Sequence, residues 1–317
     1  MPSSAGPTIG EAGEHAAIAE IIAAAPSSRN GDDAAVLTQA TPNSRTVATV
    51  DMLIEGRHFN LEWSTPAEIG HKAIVQNFAD IQAMGARPIA ALLAISAPPS
   101  TPLSFLRELA TGVSERVNQF SAELVGGDLT AGDNLVVSVT AIGLLGGSLP
   151  ELTLDRAKSG QKVVASGKIG ASAAGLALLQ RFGRDFPFQF TELVASHCTP
   201  HLSPGRGVIA RATGATAMTD NSDGLIVDLS TIAKRSGVNI DLNREAIAPS
   251  PLMVEAGELL GVDPWEWVLT GGEDHTMLAT TAGEAPSGFR SIGKVQRGEG
   301  VSIDGQEPEY ETGWVSF

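Results

Sequence analysis

The spacing of apolar and polar positions along the chain predicts an α+β protein. Apolar residues recur at the helical period of about 3.6 residues in three segments of the first half, at residues 11–25, 66–84 and 102–120. Continuous apolar or β-branched runs predict strands at residues 46–50, 89–97, 123–125 and 135–145. A glycine-rich turn is expected between the last two strands, because glycines and polar residues separate them.

The pattern restarts after the stretch "LLGGSLPELT", near residue 148. Beyond it we predict a strand at residues 162–166 and helices at 172–181, 206–212 and 225–236. Helices and strands do not alternate as they would in one parallel βαβ series. We therefore expect two α+β domains, residues 1–148 and 149–317, each a β-sheet covered by helices.

Composition narrows the classes of function. The chain has 317 residues and a formal charge of −15, which argues against nucleic-acid binding because phosphates attract basic surfaces. Its single cysteine, Cys198, cannot form an intramolecular disulfide, so a reducing cytoplasm fits best. No apolar run approaches the roughly 20 residues of a membrane helix, and the first residues lack the pattern of a secretion signal.

Acidic residues beside glycines or strand ends are the main chemical signal. They occur in the segments 31–33, 49–51, 126–128, 219–224 and 271–274, and Asp80 lies inside a helix that is apolar on several faces. Each one alone is readily explained as a turn or a helix cap. Three of these segments, "GDDAAVL", "TVDMLI" and "LVGGDLTAGDNLVV", contain no lysine or arginine. Carboxylates without histidine or cysteine suit Mg²⁺, so the set predicts magnesium sites rather than zinc sites. Asp228, Asp241 and Asp263 lack this context and are interpreted as structural.

Several magnesium ions suggest a polyphosphate substrate, and ATP is the simplest. The G-x-x-x-x-G-K-[ST] loop is absent, and so is the dinucleotide-binding G-x-G-x-x-G before a helix. The glycine-rich segment 167–175, "GKIGASAAG", could cradle a phosphate at a helix N-terminus. We favour close packing as the reason for these glycines. If the chain uses ATP, we expect the phosphates to be bound through metals.

Six motifs in order resemble those of the thiamine-monophosphate kinase family. They are "GDDAAVL", "TVDMLIEGRHF", "KAIVQNFADIQAMGARP", "LVGGDLT", "DNSDGLIVDL" and "LTGGEDH". This family belongs to the ATP-dependent superfamily of aminoimidazole ribonucleotide synthetase and selenophosphate synthetase. The resemblance implies the two-domain α+β fold of that superfamily and a homodimer formed through the N-terminal domain. It also implies transfer of the γ-phosphoryl group of ATP to thiamine monophosphate, giving thiamine diphosphate and ADP, with several Mg²⁺ ions.

The resemblance also implies roles for individual residues. Its metal-binding positions correspond here to Asp33, Thr49, Asp51, Asp80, Asp128, Asp220 and Asp223. Its nucleotide contacts correspond to Gly127, Asp128, Arg156 and Ser222, and its substrate contacts to His58, Glu273 and Trp314. The chain departs from the family pattern at Ala131, where an arginine is usual, and at His275-Thr276, which replaces the commoner Tyr-Glu.

Two alternatives to this function stay open from the sequence. The first is aminoimidazole ribonucleotide synthesis on the same scaffold; selenophosphate synthesis is disfavoured because no cysteine lies near the N-terminus. The second is a cation-binding module without enzymatic activity. For the kinase reaction we expect no catalytic base, because a phosphate monoester is already an anionic nucleophile and the main obstacle is repulsion between two polyanions.

Overall fold

The computed structural model describes residues 6–27 and 43–313 and divides into two compact units. Unit 1 comprises Met1–Ile81 and Pro88–Gly147, and unit 2 comprises Gln82–Arg87 and Ser148–Phe317. Each contains one mixed β-sheet with helices packed on it, so the predicted α+β class is confirmed. Within the described ranges, no helix is both long enough and apolar enough to cross a bilayer.

Unit 1 is built on a four-stranded sheet with the strand order β1-β4-β2-β3. Strand β1 runs antiparallel to β4, and β2 runs parallel to β3. The elements of this part of the chain are α1 (Ile9–Ala12), α2 (Glu14–Ala24), β1 (Arg45–Ile54), α3 (Pro66–Ala83), β2 (Arg87–Ala97), α4 (Leu103–Gln119), β3 (Glu123–Ala131) and β4 (Val136–Leu145).

The two faces of this sheet differ in burial. On β1, Leu53 is buried, and the Thr49 side chain donates a hydrogen bond to Asp80 of α3, so the odd-numbered positions of β1 face the helices. The even-numbered side chains point the other way, and Val50 and Met52 are 59% and 49% exposed. We call the side of the sheet that the helices cover the helix face and the opposite side the open face.

Close packing of α3 against α4 depends on two glycines. A Cβ at Gly70 would lie 2.1 Å from the carbonyl oxygen of Leu109, and one at Gly112 would lie 2.0 Å from that of Ala67. Real Cβ atoms do not approach backbone this closely, so each helix presents a glycine where the other backbone passes. This contact sets the position of α3, which carries Asp80.

Unit 2 is built on a six-stranded sheet with the strand order β10-β7-β9-β5-β8-β6, in which β10 and β7 are parallel and the other pairs antiparallel. Its elements are β5 (Lys162–Ser166), α5 (Ala171–Phe182), α6 (Thr191–Cys198), α7 (Arg206–Ala212), β6 (Ala215–Asp220), α8 (Leu225–Ser236), β7 (Asn239–Leu242), α9 (Pro251–Leu260), α10 (Pro264–Thr270), β8 (Met277–Thr281), β9 (Arg290–Gln296) and β10 (Gly300–Ile303). Asp263 caps α10 by accepting a hydrogen bond from the N–H of Trp265, as its structural interpretation predicted.

A short segment from the middle of the chain's first half belongs to unit 2. Within Gln82–Arg87, the Met84 carbonyl accepts a hydrogen bond from the N–H of Leu152, and Gln82 Nε2 donates to the carbonyl of Ser203. Gly85 ends α3 with a φ of +76°, a value that favours glycine. The segment is therefore held by hydrogen bonds to residues much later in the chain.

The turn predicted between the strands at 123–125 and 135–145 is shorter than expected and is confined to residues 132–135. Strand β3 continues from Val125 to Ala131, and Gly126 and Gly127 pair with Leu92 and Leu93 of β2. Glycine weakens most strands, but here it allows the backbones to approach closely, since a Cβ at Gly127 would lie 2.0 Å from the carbonyl oxygen of Leu93. Asp128 therefore lies on a strand rather than in a turn.

Candidate active site

Strand β1 and helix α3 bring three of the predicted metal-binding residues into one region of unit 1. Thr49 Oγ1 donates a hydrogen bond of 2.7 Å to Asp80 Oδ2. The backbone N–H of Asp51 donates to Oδ1 of the buried Asn77 at 3.0 Å, and Asn77 in turn donates to the carbonyl of Ala73. One turn of α3 thus fixes both the β1 backbone and the acidic side chain that faces it.

The predicted substrate residue His58 follows the end of β1. Its Nδ1 accepts a hydrogen bond of 3.1 Å from the N–H of Ile54, so the neutral ring carries its proton on Nε2. The buried Lys72 donates from Nζ to the carbonyl of His58 at 3.0 Å. An Nε2–H donor suits contact with an anionic oxygen such as that of a phosphate.

Within one chain, Asp128 lies far from Asp51. Asp128 pairs with the exposed Ala94 on the open face, whereas the next residue, Leu129, pairs with the buried Ile95 on the helix face. Strands β1 and β3 are also the opposite edges of the four-stranded sheet. Asp51 and Asp128 therefore lie on opposite faces and at opposite edges.

In unit 2, the turn between β6 and α8 carries Asp220, Ser222 and Asp223. Oδ2 of the buried Asp220 lies at a hydrogen-bonding distance of 2.9 Å from His275 Nδ1. Asp228 Oδ2, on the first turn of α8, accepts hydrogen bonds of 3.1 Å from the N–H groups of Asp223 and Gly224. The pKa of Asp228 is raised to about 8, first by burial and then by the negative charges of Asp220 and Asp223. The two backbone hydrogen bonds agree with the structural interpretation of Asp228, whereas its burial beside two other carboxylates was not predicted from the sequence.

The Gly-Gly-Glu-Asp-His segment supplies the next group. Asp274 is buried and accepts hydrogen bonds of 2.5 and 2.8 Å from the N–H groups of Gly170 and Ser172, at the N-terminus of α5. Burial raises the pKa of Asp274 to about 7, although these two hydrogen bonds act to lower it. Because Asp274 takes these N–H groups, this helix start does not offer them to a phosphate. The packing interpretation of residues 167–175 is confirmed: a Cβ at Gly175 would lie 2.1 Å from the carbonyl oxygen of Leu193.

Residues on either side of Asp274 have strained backbone. Glu273 and His275 have φ values of +59° and +51°, in the left-handed region that non-glycine residues rarely adopt. The N–H of Glu273 donates to the carbonyl of Ser222, and the N–H of His275 donates to that of Asn221. Strain of this kind costs about 1–3 kcal/mol and clusters at functional sites.

The remaining predicted residues are less informative. Arg156 donates to the carbonyl of Glu151 at 3.0 Å and pairs with its carboxylate at 3.2 Å, so its predicted role toward ATP stays a prediction. Asp33 and Trp314 lie outside the described residues. Gly313 lies against Val227 and the carbonyl of Asp223, where a Cβ would be 2.5 and 2.6 Å away.

The oxygen donors of the predicted metal-binding residues suit Mg²⁺ better than they suit a metal ion whose ligands all come from the protein. Among the described residues, no group of three or more His, Cys, Asp or Glu side chains could hold an ion by itself. Carboxylates instead occur in small sets within each unit, such as Asp80 beside Thr49 and Asp220 near Asp223. Mg²⁺ usually takes one or two carboxylates and completes its shell with water and phosphate oxygens.

Comparison with known proteins agrees with this chemistry. The family model described as "AIR synthase related protein, N-terminal domain" matches residues 31–145. The thiamine-monophosphate kinase of Corynebacterium glutamicum is 62% identical over 98% of this chain and 96% of the relative. The thiamine-monophosphate kinase of Mycobacterium tuberculosis is 45% identical over 90% of this chain and 85% of the relative.

A solved structure of AaThiL complexed with AMPPCP and TMP is also similar. It is 31% identical, with a TM-score of 0.78, and the match covers 99% of this chain and 100% of that one. The similarity thus extends over both units rather than over one shared domain. The resemblance inferred from the six motifs is confirmed: this chain belongs to the thiamine-monophosphate kinase family.

Proposed function

We propose that this chain transfers the γ-phosphoryl group of ATP to thiamine monophosphate, producing thiamine diphosphate and ADP. The observation that carries the proposal is the 62% identity to a thiamine-monophosphate kinase over nearly the whole of both chains. The similar AaThiL structure contains AMPPCP and TMP, which supports the same pair of substrates here.

The described residues suit a transfer that needs no catalytic base. The attacking oxygen belongs to a phosphate monoester that is already anionic at neutral pH, so no proton has to be removed from it. When bound, several Mg²⁺ ions would supply the positive charge that lets two polyanions approach in line. The chain's part is to hold oxygen ligands in fixed positions, as the Thr49–Asp80 and Asp220–His275 hydrogen bonds do.

We assign roles by unit. Unit 1 would bind metals and nucleotide and would form the dimer; unit 2 would contribute further nucleotide and substrate residues. The proposed magnesium ligands are Asp33, Thr49, Asp51, Asp80, Asp128, Asp220 and Asp223. Gly127, Asp128, Arg156 and Ser222 are assigned to ATP, and His58, Glu273 and Trp314 to the thiamine substrate. The use of ATP and the single cysteine, which cannot form an intramolecular disulfide, favour a cytoplasmic location.

The open face of unit 1 supports a homodimer. It leaves two large apolar side chains, Val50 and Met52, about half exposed on an edge strand. Exposed apolar surface of this kind favours association. Because Asp51 and Asp128 lie far apart within one chain, an Mg²⁺ ion bound by both would need Asp128 of one protomer and Asp51 of the partner subunit.

The direct test is formation of thiamine diphosphate from ATP, Mg²⁺ and thiamine monophosphate, followed by chromatography. We expect one ADP per thiamine diphosphate and no product when unphosphorylated thiamine replaces the monophosphate. Product from thiamine but not from its monophosphate would refute the proposed acceptor. Absence of product together with ribonucleotide turnover would favour the aminoimidazole ribonucleotide synthetase reaction.

A second measurement separates an enzyme from a cation-binding module. Thermal unfolding is followed with Mg²⁺ alone and with Mg²⁺ plus ADP. A nucleotide-binding enzyme gains stability from ADP in proportion to RT ln(1 + [L]/Kd). If Mg²⁺ stabilises the protein and ADP adds nothing at millimolar concentration, the cation-binding module is the better description.

A further inference from the structure

We propose that His197 is a positioning residue that orients the Glu273 carboxylate toward the thiamine substrate and so sets the affinity for that substrate. This inference rests on the proposed function and adds a residue to its thiamine end. His197 belongs to none of the six motifs that carry the family resemblance, and it lies on α6, far in sequence from Glu273.

The first observation is the position of the imidazole ring. His197 is buried, with a side chain only 5% exposed, and its Nδ1 lies 3.5 Å from Glu273 Oε2. The same nitrogen lies 3.2 Å from Ser172 Oγ on the first turn of α5. A separation of 3.5 Å is an electrostatic contact rather than a short hydrogen bond. A proton on Nδ1 would face both oxygens.

The second observation is that the Glu273 backbone is fixed from both sides. Its own N–H donates to the carbonyl of Ser222 at 2.8 Å. The next residue, Asp274, is fixed to the N-terminus of α5 by two hydrogen bonds. The preceding residue, Gly272, packs so closely that a Cβ there would lie 2.2 Å from the Ser222 carbonyl oxygen. The rotamer of the side chain is thus the main freedom left to Glu273.

The third observation is the difference in exposure between the two partners. The Glu273 side chain is 30% exposed, so a ligand can reach its carboxylate, whereas His197 is enclosed. Ser172 holds the ring through its hydroxyl and holds Asp274 through its N–H. A buried imidazole therefore contacts a reachable carboxylate and is supported by the residue that also anchors the neighbouring acid.

This arrangement suits recognition of a cationic organic group. The thiazolium ring of thiamine carries a positive charge, and its aminopyrimidine presents N–H donors. A carboxylate held in one rotamer loses less conformational entropy on binding than one that rotates freely, and immobilising such a side chain costs about 0.5–1.5 kcal/mol. Loss of His197 should therefore weaken binding of the thiamine substrate and leave ATP binding unchanged.

The test compares steady-state kinetics of four variants with wild type: H197A, E273A, the double variant, and H201A. His201 is the matched control, because it is an exposed histidine of the same unit whose Nε2 lies 3.0 Å from a serine hydroxyl, that of Ser203. We expect H197A to raise KM for thiamine monophosphate by roughly tenfold, with kcat and the KM for ATP within about twofold of wild type. We expect H201A to match wild type.

The double variant tests whether the two residues act together. If His197 acts through Glu273, adding H197A to E273A should change KM for thiamine monophosphate by less than about twofold. Multiplicative effects of the two substitutions would overturn the proposal. Equal increases of KM for both substrates in H197A would also overturn it, because they would indicate general loss of structure.

A pair of milder variants protects the test against misfolding. The amide of H197N can reach the place of Nδ1, whereas that of H197Q reaches the place of Nε2. We expect H197N to keep KM for thiamine monophosphate closer to wild type than H197Q does; equal KM values would refute the proposed contact. If wild type forms no thiamine diphosphate, the proposed function itself fails. Active wild type with an unaffected H197A refutes only the role of His197.

Discussion

If Asp51 and Asp128 bind one Mg²⁺ ion, their opposite placement predicts that each active site needs two copies of the chain. The two residues are separated by three steps between neighbouring strands, each about 4.8 Å, or roughly 14 Å across the sheet. They also point to opposite faces. Two carboxylates that bind one Mg²⁺ directly have oxygens about 2.1 Å from the ion. Within one chain, Asp51 and Asp128 are therefore too far apart to share an ion.

Mixing two inactive variants tests this reasoning. D51N and D128N are produced with different affinity tags, co-expressed, and purified as a mixture. We expect each variant alone to lose most of its activity. Random pairing of equal amounts gives about one half heterodimers, and each heterodimer has one site with both aspartates intact and one site lacking both. The mixture should therefore regain about one quarter of the wild-type rate per site.

A matched mixture of D51N with D80N provides the control. Asp80 packs against Thr49 on the helix face of the same chain, so we expect it to serve the same site as Asp51. In a heterodimer of these two variants, one site lacks Asp51 and the other lacks Asp80. Its activity should therefore stay at the level of the single variants. If two-step affinity purification recovers D51N/D128N heterodimers and they remain inactive, the shared site is wrong.

Three further predictions follow from contacts within each unit. The folded protein holds the pKa of Asp274 near 7, above its ordinary 3.8, so this group contributes stability that is fully present below about pH 4 and is lost as the pH rises toward 7. In D274N that loss of stability, up to roughly 4 kcal/mol, should be absent from urea unfolding curves measured between pH 4 and 8. A pH dependence of stability parallel to that of wild type would contradict the assignment. G85A should lower the free energy of unfolding by about 1–3 kcal/mol, because φ is +76° and the new Cβ would lie 2.7 Å from Arg211 Cδ. The control G214A, with φ of +95° and nothing within 4 Å of the new Cβ, should lower the free energy of unfolding by less. Equal losses of stability in the two variants would rule out the clash. T49V removes the hydrogen bond to Asp80 and should raise the Mg²⁺ concentration for half-maximal activity severalfold, since such a bond contributes about 1 kcal/mol. An unchanged magnesium titration would refute a role of this hydrogen bond in Mg²⁺ binding.

Local sequence patterns predicted the fold class and the family because the signals involved are themselves local. Helical periodicity marks α3 and α4, and each ordered motif is a short run around a strand end or a turn. The extent of β3 was mispredicted because glycine usually interrupts strands, and only the partner strand reveals why it is needed in this one.

Contacts between distant segments were not predictable in the same way. Asp228 follows an acidic turn as an ordinary first-turn helix residue, and nothing beside it indicates burial near two other carboxylates. His197 likewise reaches Glu273 only because α5 and α6 pack together. A single sequence does not carry these pairings, since they depend on which segments the fold brings side by side.

The segment Gln82–Arg87 has a consequence for how the molecule can be divided. The chain passes between the two units three times, so no single cut separates them cleanly. A fragment ending at residue 147 would retain Met84 and Gln82 but lose Leu152 and Ser203, which satisfy their hydrogen bonds. Chimeras that exchange the C-terminal half between relatives should therefore also exchange the six residues Gln82–Arg87. The two units are accordingly expected to have been inherited together rather than exchanged separately during evolution.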